Sequence, residues 1–156
     1  MSSDIESAYA LDRAIHRLAR HLDERDFEAF LAVMLDEAEY LVTAKAPELE
    51  EEMTWMHLEK QELAERLVSI DEHQWEIATR EQTRLISINH VEKISENTRT
   101  SANLVIYNTD ASGQTECYAV GSYEDNWCYL ESRWRLRRRQ VVLKTRQIYP
   151  LSPLPL

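Results

Sequence analysis

Arg133-Trp134-Arg135-Leu136-Arg137-Arg138-Arg139-Gln140-Val141-Val142-Leu143-Lys144-Thr145-Arg146-Gln147-Ile148-Tyr149 is the stretch on which the fold turns. Trp, Val, Leu, Ile and Tyr recur between its cations, which is the composition of a strand and not of a solvated polycation. From Ser132 to Leu156 there are seven basic side chains and no acid; all 28 Asp and Glu come earlier, so the formal charge divides into −17 up to Glu131 and +7 after it. A cationic strand closing an acidic chain needs a partner for its charge.

Part of that partner lies just upstream. Thr115 to Leu130 is a second long strand-like run, and Glu131-Ser132-Arg133 supplies turn residues between the two. A hairpin centred on Ser132 sets Asp125 against Arg139, Trp127 against Arg137, Tyr129 against Arg135 and Cys128 against Leu136. One carboxylate and two aromatic faces then meet the arginines. Read as exposed pairs, these contacts contribute about 0.2–1 kcal/mol each and fix register more than stability. The apolar positions change parity between Trp134/Leu136 and Val141/Leu143, which predicts a β-bulge between Arg138 and Gln140.

Two further strands precede the hairpin, Leu85 to Val91 and Thr100 to Tyr107, the second closed by the turn Asn108-Thr109-Asp110-Ala111-Ser112-Gly113. The first half of the chain reads as helix. Ser3 and Glu6 form a capping box, and Ile5, Ala8, Leu11, Ile15, Leu18 and Leu22 make one apolar stripe. Asp26 caps a short second helix that buries Phe27, Phe30, Leu31 and Met34. An extended segment, Glu37 to Ala46, alternates Tyr40, Val42 and Ala44 with polar neighbours and stops at Pro47. Glu48 to Glu52 reads as a solvated loop, and Leu58 to Ile70 as a third helix with Leu63, Leu67 and Ile70 inward. Helices followed by long antiparallel strands is an α+β arrangement with helices on one face of a curved sheet. At 156 residues and 44% hydrophobic content, the expected organisation is a single domain over 1–156.

Composition bounds function. A net charge of −10 argues against nucleic acid as partner. The chain holds no apolar run of membrane-spanning length, and its acidic N-terminus is unlike a signal peptide, so a cytoplasmic protein is expected. Cys117 and Cys128 lie eleven residues apart on one strand, about 35 Å when extended. They cannot bond to each other, which suits a reducing compartment.

Nucleotide-binding glycine loops and the Gly-x-Ser-x-Gly elbow are absent, and the five histidines, His16, His21, His57, His73 and His90, show no zinc or Rieske spacing. A pocket between helices and curved sheet leaves one catalytic alternative open. Asp36, Tyr40 and His90 could line it as the acid–base set of a free-standing isomerase or dehydratase. Against this stands a structural role for each, with Tyr40 as a core aromatic and Asp36 and His90 at element ends. The last eight residues, Tyr149-Pro150-Leu151-Ser152-Pro153-Leu154-Pro155-Leu156, suit neither helix nor central strand. They are expected to lie extended on a neighbouring subunit, with packing on their own domain as the alternative.

Gly121-Ser122-Tyr123-Glu124-Asp125, continued by Trp134-Arg135-Leu136 and Arg139-Gln140-Val141-Val142-Leu143, resembles the Gly-x-Tyr-x-Asp, Trp-Arg-Ile/Leu, Arg-x-Val-x-Leu hairpin of the small (β) subunits of aromatic-ring-hydroxylating dioxygenases. The chain departs from that family's pattern at Arg84-Leu85, at Asn89-His90-Val91 and at Lys144, where an Asp is common. The resemblance implies a cystatin-like or NTF2-like cone with no catalytic residue or cofactor of its own. It further implies an α3β3 hexamer with large subunits that carry a Rieske 2Fe-2S cluster and a mononuclear iron. In that setting Trp134, Arg135, Arg137, Arg139, Tyr149, Leu154 and Leu156 are the expected subunit-interface residues, and Asp125 with Arg139 the structural pair.

Overall fold

A computed structural model describes residues 2–73, 81–147 and 155–156. The elements run α1 (Ser2–Asp23), α2 (Phe27–Val33), β1 (Met34–Ala46), a 3-10 turn at Pro47–Leu49, β2 (Glu51–Glu59), α3 (Lys60–His73), β3 (Glu81–Ile94), β4 (Asn97–Thr109), β5 (Thr115–Leu130) and β6 (Arg133–Leu143). The six strands form one sheet in the order β2-β1-β6-β5-β4-β3. Neighbours are antiparallel except β1 and β6, which run parallel. With α1 packed on β3 and α3 on β1, the helices close one face of the sheet. The result is the α+β arrangement that the pattern of helices and strands predicts, in the form of the NTF2-like cone that the family resemblance implies.

Local chemistry explains most element ends. Asp26 caps α2 by accepting from the Ala29 amide at 3.1 Å, and the Glu62 carboxylate accepts from the Glu59 amide at 2.9 Å at the start of α3. In α1 the stripe buries Leu11, Ile15, Leu18 and Leu22, but Ile5 and Ala8 are exposed, because the first turns of the helix run past the part that packs on the sheet.

Glu51–Glu59 is strand β2, where a loop leading into a helix from Leu58 was expected. Its carboxylates and exposed Trp55 conceal it, since only Met56 and Leu58 turn toward the core and the rest of this edge strand meets water, which leaves too short an alternation to read. Charges there also discourage pairing with foreign strands. The helix accordingly begins at Lys60, after Leu58 has paired with Tyr40.

The terminal hairpin differs from the expected register near its tip. Glu131 and Ser132 both adopt positive φ, 49° and 60°, so the turn has two residues and is centred between them. Trp127 therefore faces Leu136, Cys128 faces Arg135, and Tyr129 faces Trp134. A register shift between Asn126 and Trp127 leaves Arg137 unpaired on β6, nearer the tip than the bulge expected between Arg138 and Gln140. That extra residue restores the expected alignment beyond it, so Asp125 lies opposite Arg139. Gly121 sits where β5 approaches β6 closely, and a Cβ there would overlap the Val142 carbonyl oxygen.

Candidate functional site

Across the inner face of the sheet, Tyr40 on β1, Arg139 on β6, Asp125 on β5 and Thr100 on β4 stand in one cross-strand row, all buried. Arg139 donates from Nε and Nη2 to the two Asp125 oxygens at 2.9 and 2.8 Å, a bidentate pair, and neither side chain is more than 1% exposed. The guanidinium carbon lies 3.7 Å from the Tyr123 ring centroid, so an aromatic face covers the cation. Burial works against the Arg139 charge, but Asp125 outweighs it and raises the pKa above its ordinary value. Both singular features of this pair, burial and the stack on Tyr123, contradict its expected reading as an exposed contact. Tyr129 stacks on Trp134, centroids 5.2 Å apart, instead of on Arg135.

A second buried cation, Arg84, figures in the sequence reading only as a departure from the family pattern, not as a candidate site or core residue. It donates from Nη1 to Asp23 Oδ1 at 2.6 Å and from its backbone amide to Asp23 Oδ2 at 3.0 Å, which ties β3 to the end of α1. A lone Arg in a strand run carries no sequence signal for burial, because its partner lies 61 residues away. Arg84 Nη2 also reaches the Pro155 carbonyl at 2.8 Å, and Tyr40 donates its hydroxyl to the Leu156 carbonyl. Burial and the neighbouring Tyr123 push the Tyr40 hydroxyl well above the usual phenol range, against the pull of Arg139 and Arg84.

Asp36, Tyr40 and His90 do not come together. The Asp36 side chain is 100% exposed and lies 3.4 Å from Lys60 Nζ, whereas Tyr40 is fully buried. His90 is on β3, four strands from β1, with its side chain 61% exposed beside Glu92. Distance and exposure explain the failure of that acid–base set: Asp36 shares the parity of Tyr40 but lies at the exposed start of β1, and His90 sits across the sheet on the exposed part of β3, so only Tyr40 is buried.

Nor do the histidines and cysteines fit an iron or iron–sulfur site. Cys117 is exposed and Cys128 buried, and among the described residues no three of His, Cys, Asp and Glu are grouped to hold a metal ion. Among the same residues no helix is long and apolar enough to cross a membrane.

Outside the cone, α1 and the β5–β6 tip flank a cleft of about 710 Å³ lined by Arg13, Arg17, His21, Arg133, Trp134 and Arg135 among others, with no carboxylate among the described residues that line it. Trp134 anchors it, donating its indole N–H to the Ser7 carbonyl at 3.2 Å. Of the expected interface residues, Trp134 and Arg135 are half-buried at this cleft and Arg137 is exposed. Arg139 and Leu156, by contrast, are buried inside the fold. Leu156 belongs to the core, because its carbonyl has a donor there and its side chain has apolar neighbours. Tyr149 and Leu154 lie outside the described residues.

The family model described as Ring hydroxylating beta subunit matches residues 17–149. The chain belongs to this family. The curated β subunit of 2-aminobenzenesulfonate 2,3-dioxygenase from Alcaligenes sp. is 30% identical over 128 residues, which is 81% of this chain and 84% of the relative. Among solved structures, the β subunit ascribed to an aromatic-ring-hydroxylating dioxygenase of Novosphingobium aromaticivorans superposes with a TM-score of 0.81 at 22% identity, covering all of both chains. The β subunit of a benzoate 1,2-dioxygenase from Burkholderia mallei gives 0.77 at 13% identity, over 94% of this chain and 95% of that one. The chain is thus the β subunit of an aromatic-ring-hydroxylating dioxygenase, and such a multi-subunit oxygenase has an α partner. Within the β subunit, the Gly121–Asp125 and Arg139–Leu143 segments are the two sides of one hairpin, with the ion pair at its centre.

Proposed function

We propose that this β subunit is a non-catalytic, single-domain support for the α subunits of an α3β3 terminal oxygenase in aromatic-compound catabolism, working in the cytoplasm. The Rieske 2Fe-2S cluster and the mononuclear iron belong to the α subunits in this reading, and the β chain supplies surface. The observation that carries it is the cleft of Arg13, Arg17, His21, Arg133 and Arg135, which gathers basic side chains with no carboxylate among the described residues lining it, on a chain of net charge −10. Such a patch recruits an acidic surface and guides its approach. Trp134, with its indole fixed by Ser7, supplies a rigid aromatic anchor at the centre. Arg137 extends the same basic ribbon outward. Tyr149 and Leu154 are assigned to the contact between subunits as well.

Co-expression with the α subunit, followed by sizing and mass measurement, tests the assembly. A complex of three α and three β chains is expected. A β chain that stays alone in the presence of its α subunit refutes the proposal.

A further inference from the structure

Two basic rows line the cleft between α1 and the β5–β6 tip. Arg13, Arg17 and His21 recur at every fourth residue and so lie along one stripe of α1, with a repeat of about 6 Å. Arg133 and Arg135 are alternate residues of β6 and project on one side of that strand, with a repeat of about 6.7 Å. Ala10, Ala14 and Ala32 line the same cleft, and their single methyl groups leave room for a foreign backbone to lie close.

The chain leaves both rows without acids of its own. Arg20, Arg84, Arg138, Arg139 and Arg146 each hold a carboxylate. Among the described residues no carboxylate comes within ion-pair distance of Arg13, Arg17, Arg133 or Arg135, although acids outnumber Lys and Arg 28 to 18 in the sequence. Arg13 instead lies over the Tyr9 ring, 5.7 Å from its centroid, and the Arg135 Nε–H finds no acceptor. Like charges gathered in one cleft repel one another, and an unmet N–H adds to the cost. An occupant that brings several carboxylates removes both penalties, and one carboxylate set side-on against the Arg135 fork supplies the missing acceptor.

We propose that the cleft receives a short, extended run of consecutive acidic residues from the α subunit, an inference that rests on the reading of this cleft as the α-subunit contact. Side chains of an extended segment alternate sides with a two-residue repeat of about 6.7 Å, so successive carboxylates go in turn to the α1 row and the β6 row. About four such residues match the 12 Å or so from Arg13 to His21 along the helix. A helix in the cleft presents its acidic stripe to one row and leaves the other unmet. A long polyanion such as nucleic acid runs beyond the cleft over a chain of net charge −10 and is repelled there. Arg135 is the specificity-determining residue, because its fork holds one carboxylate in a fixed orientation, whereas the exposed Arg17 and Arg133 guide approach.

Carboxyl footprinting of the α–β complex tests this, with carbodiimide and glycinamide as reagents and peptide mass mapping as the readout. In the complex, one run of at least three consecutive Asp or Glu residues of the α subunit should be labelled at least tenfold more slowly than in the α subunit alone. Arg135→Gln in the full β chain should restore most of that labelling, whereas Arg66→Gln, exposed on α3, should not. A second measurement decides the matter even where Arg135→Gln does not assemble. Acetylated tetraglutamate amide should slow association of the full β chain with the α subunit at least threefold relative to the tetraglutamine peptide at equal ionic strength. Protection of only isolated or helically spaced carboxylates, or protection that survives Arg135→Gln, overturns the proposal while leaving the α–β assembly standing. Equal effects of the two peptides, or stronger competition by tripolyphosphate than by tetraglutamate, overturn it as well. If no α–β complex forms, the reading of the cleft fails and this inference with it.

Discussion

Arg139 and Asp125 meet as a bidentate ion pair with both side chains sealed from solvent and the guanidinium stacked on Tyr123. A buried pair of this kind matters most when it is broken, because the survivor is left as an uncompensated charge. Arg139→Ala or Asp125→Asn should each lower the unfolding free energy by about 3–5 kcal/mol in urea titrations. Arg133→Ala, at the exposed turn, should change it by less than about 0.5 kcal/mol. The double replacement Arg139→Met with Asp125→Leu should cost less than either single change, since no charge is then stranded. Additive losses would show that the two residues act independently.

Gly121 holds β5 against β6. Its Cβ would collide with backbone, the Val142 carbonyl oxygen and the Leu143 Cα, so the strain cannot be relieved by a side-chain rotation. Gly121→Ala should destabilise by roughly 1–3 kcal/mol through displacement of the strand pair. A neutral result in thermal unfolding would mean that the strands separate without cost.

Alkaline pH should unfold the protein partly through Tyr40. Its hydroxyl titrates far above the phenol value of the unfolded chain, about 10. A raised folded pKa means that the contribution is complete below pH 10. Above that, the unfolded chain gives up this proton and the folded chain keeps it, so stability should fall by about 1.4 kcal/mol per pH unit. Tyr40→Phe should remove that increment of slope while lowering stability near neutrality, where the bond to Leu156 is lost. Denaturation curves between pH 9 and 11 distinguish the two chains.

Electrostatic guidance by the cleft has its own signature. Arg17 and Arg133 are exposed cleft residues, so Arg17→Glu with Arg133→Glu should leave the fold intact. It should slow association with the α subunit at least tenfold at low ionic strength, with the difference shrinking as salt is added. Stopped-flow mixing or biosensor kinetics at two salt concentrations would read it. An unchanged association rate would place the contact elsewhere.

Trp134 should act as an interface anchor. Trp134→Ala empties the middle of the cleft and is expected to raise the dissociation rate of the assembly, in line with a loss of about 2 kcal/mol or more for a central aromatic. Comparison with Arg137→Ala, further out on the ribbon, separates an anchor from a peripheral charge.

Period and composition alone determined much of this protein. The stripe of α1 from Leu11 to Leu22, the Asp26 cap, β1, the long strands and the absence of a metal-ligand spacing all follow from residues close in sequence, where local geometry leaves few options. The facing of Asp125 and Arg139 was legible as well, because a hairpin turns register into arithmetic. Only the tertiary structure decided which charges are buried. Parity of the apolar positions put the bulge between Arg138 and Gln140, whereas the unpaired residue is Arg137 and Arg139 itself is buried in the core. The burial of Arg84 was hidden too, because its partner Asp23 arrives from the far end of α1. Edge strand β2 escaped notice because only Met56 and Leu58 of its residues turn toward the core, and no local pattern announces the burial of Leu156. Burial of a polar group depends on a distant complement, and that information resides in how the elements meet.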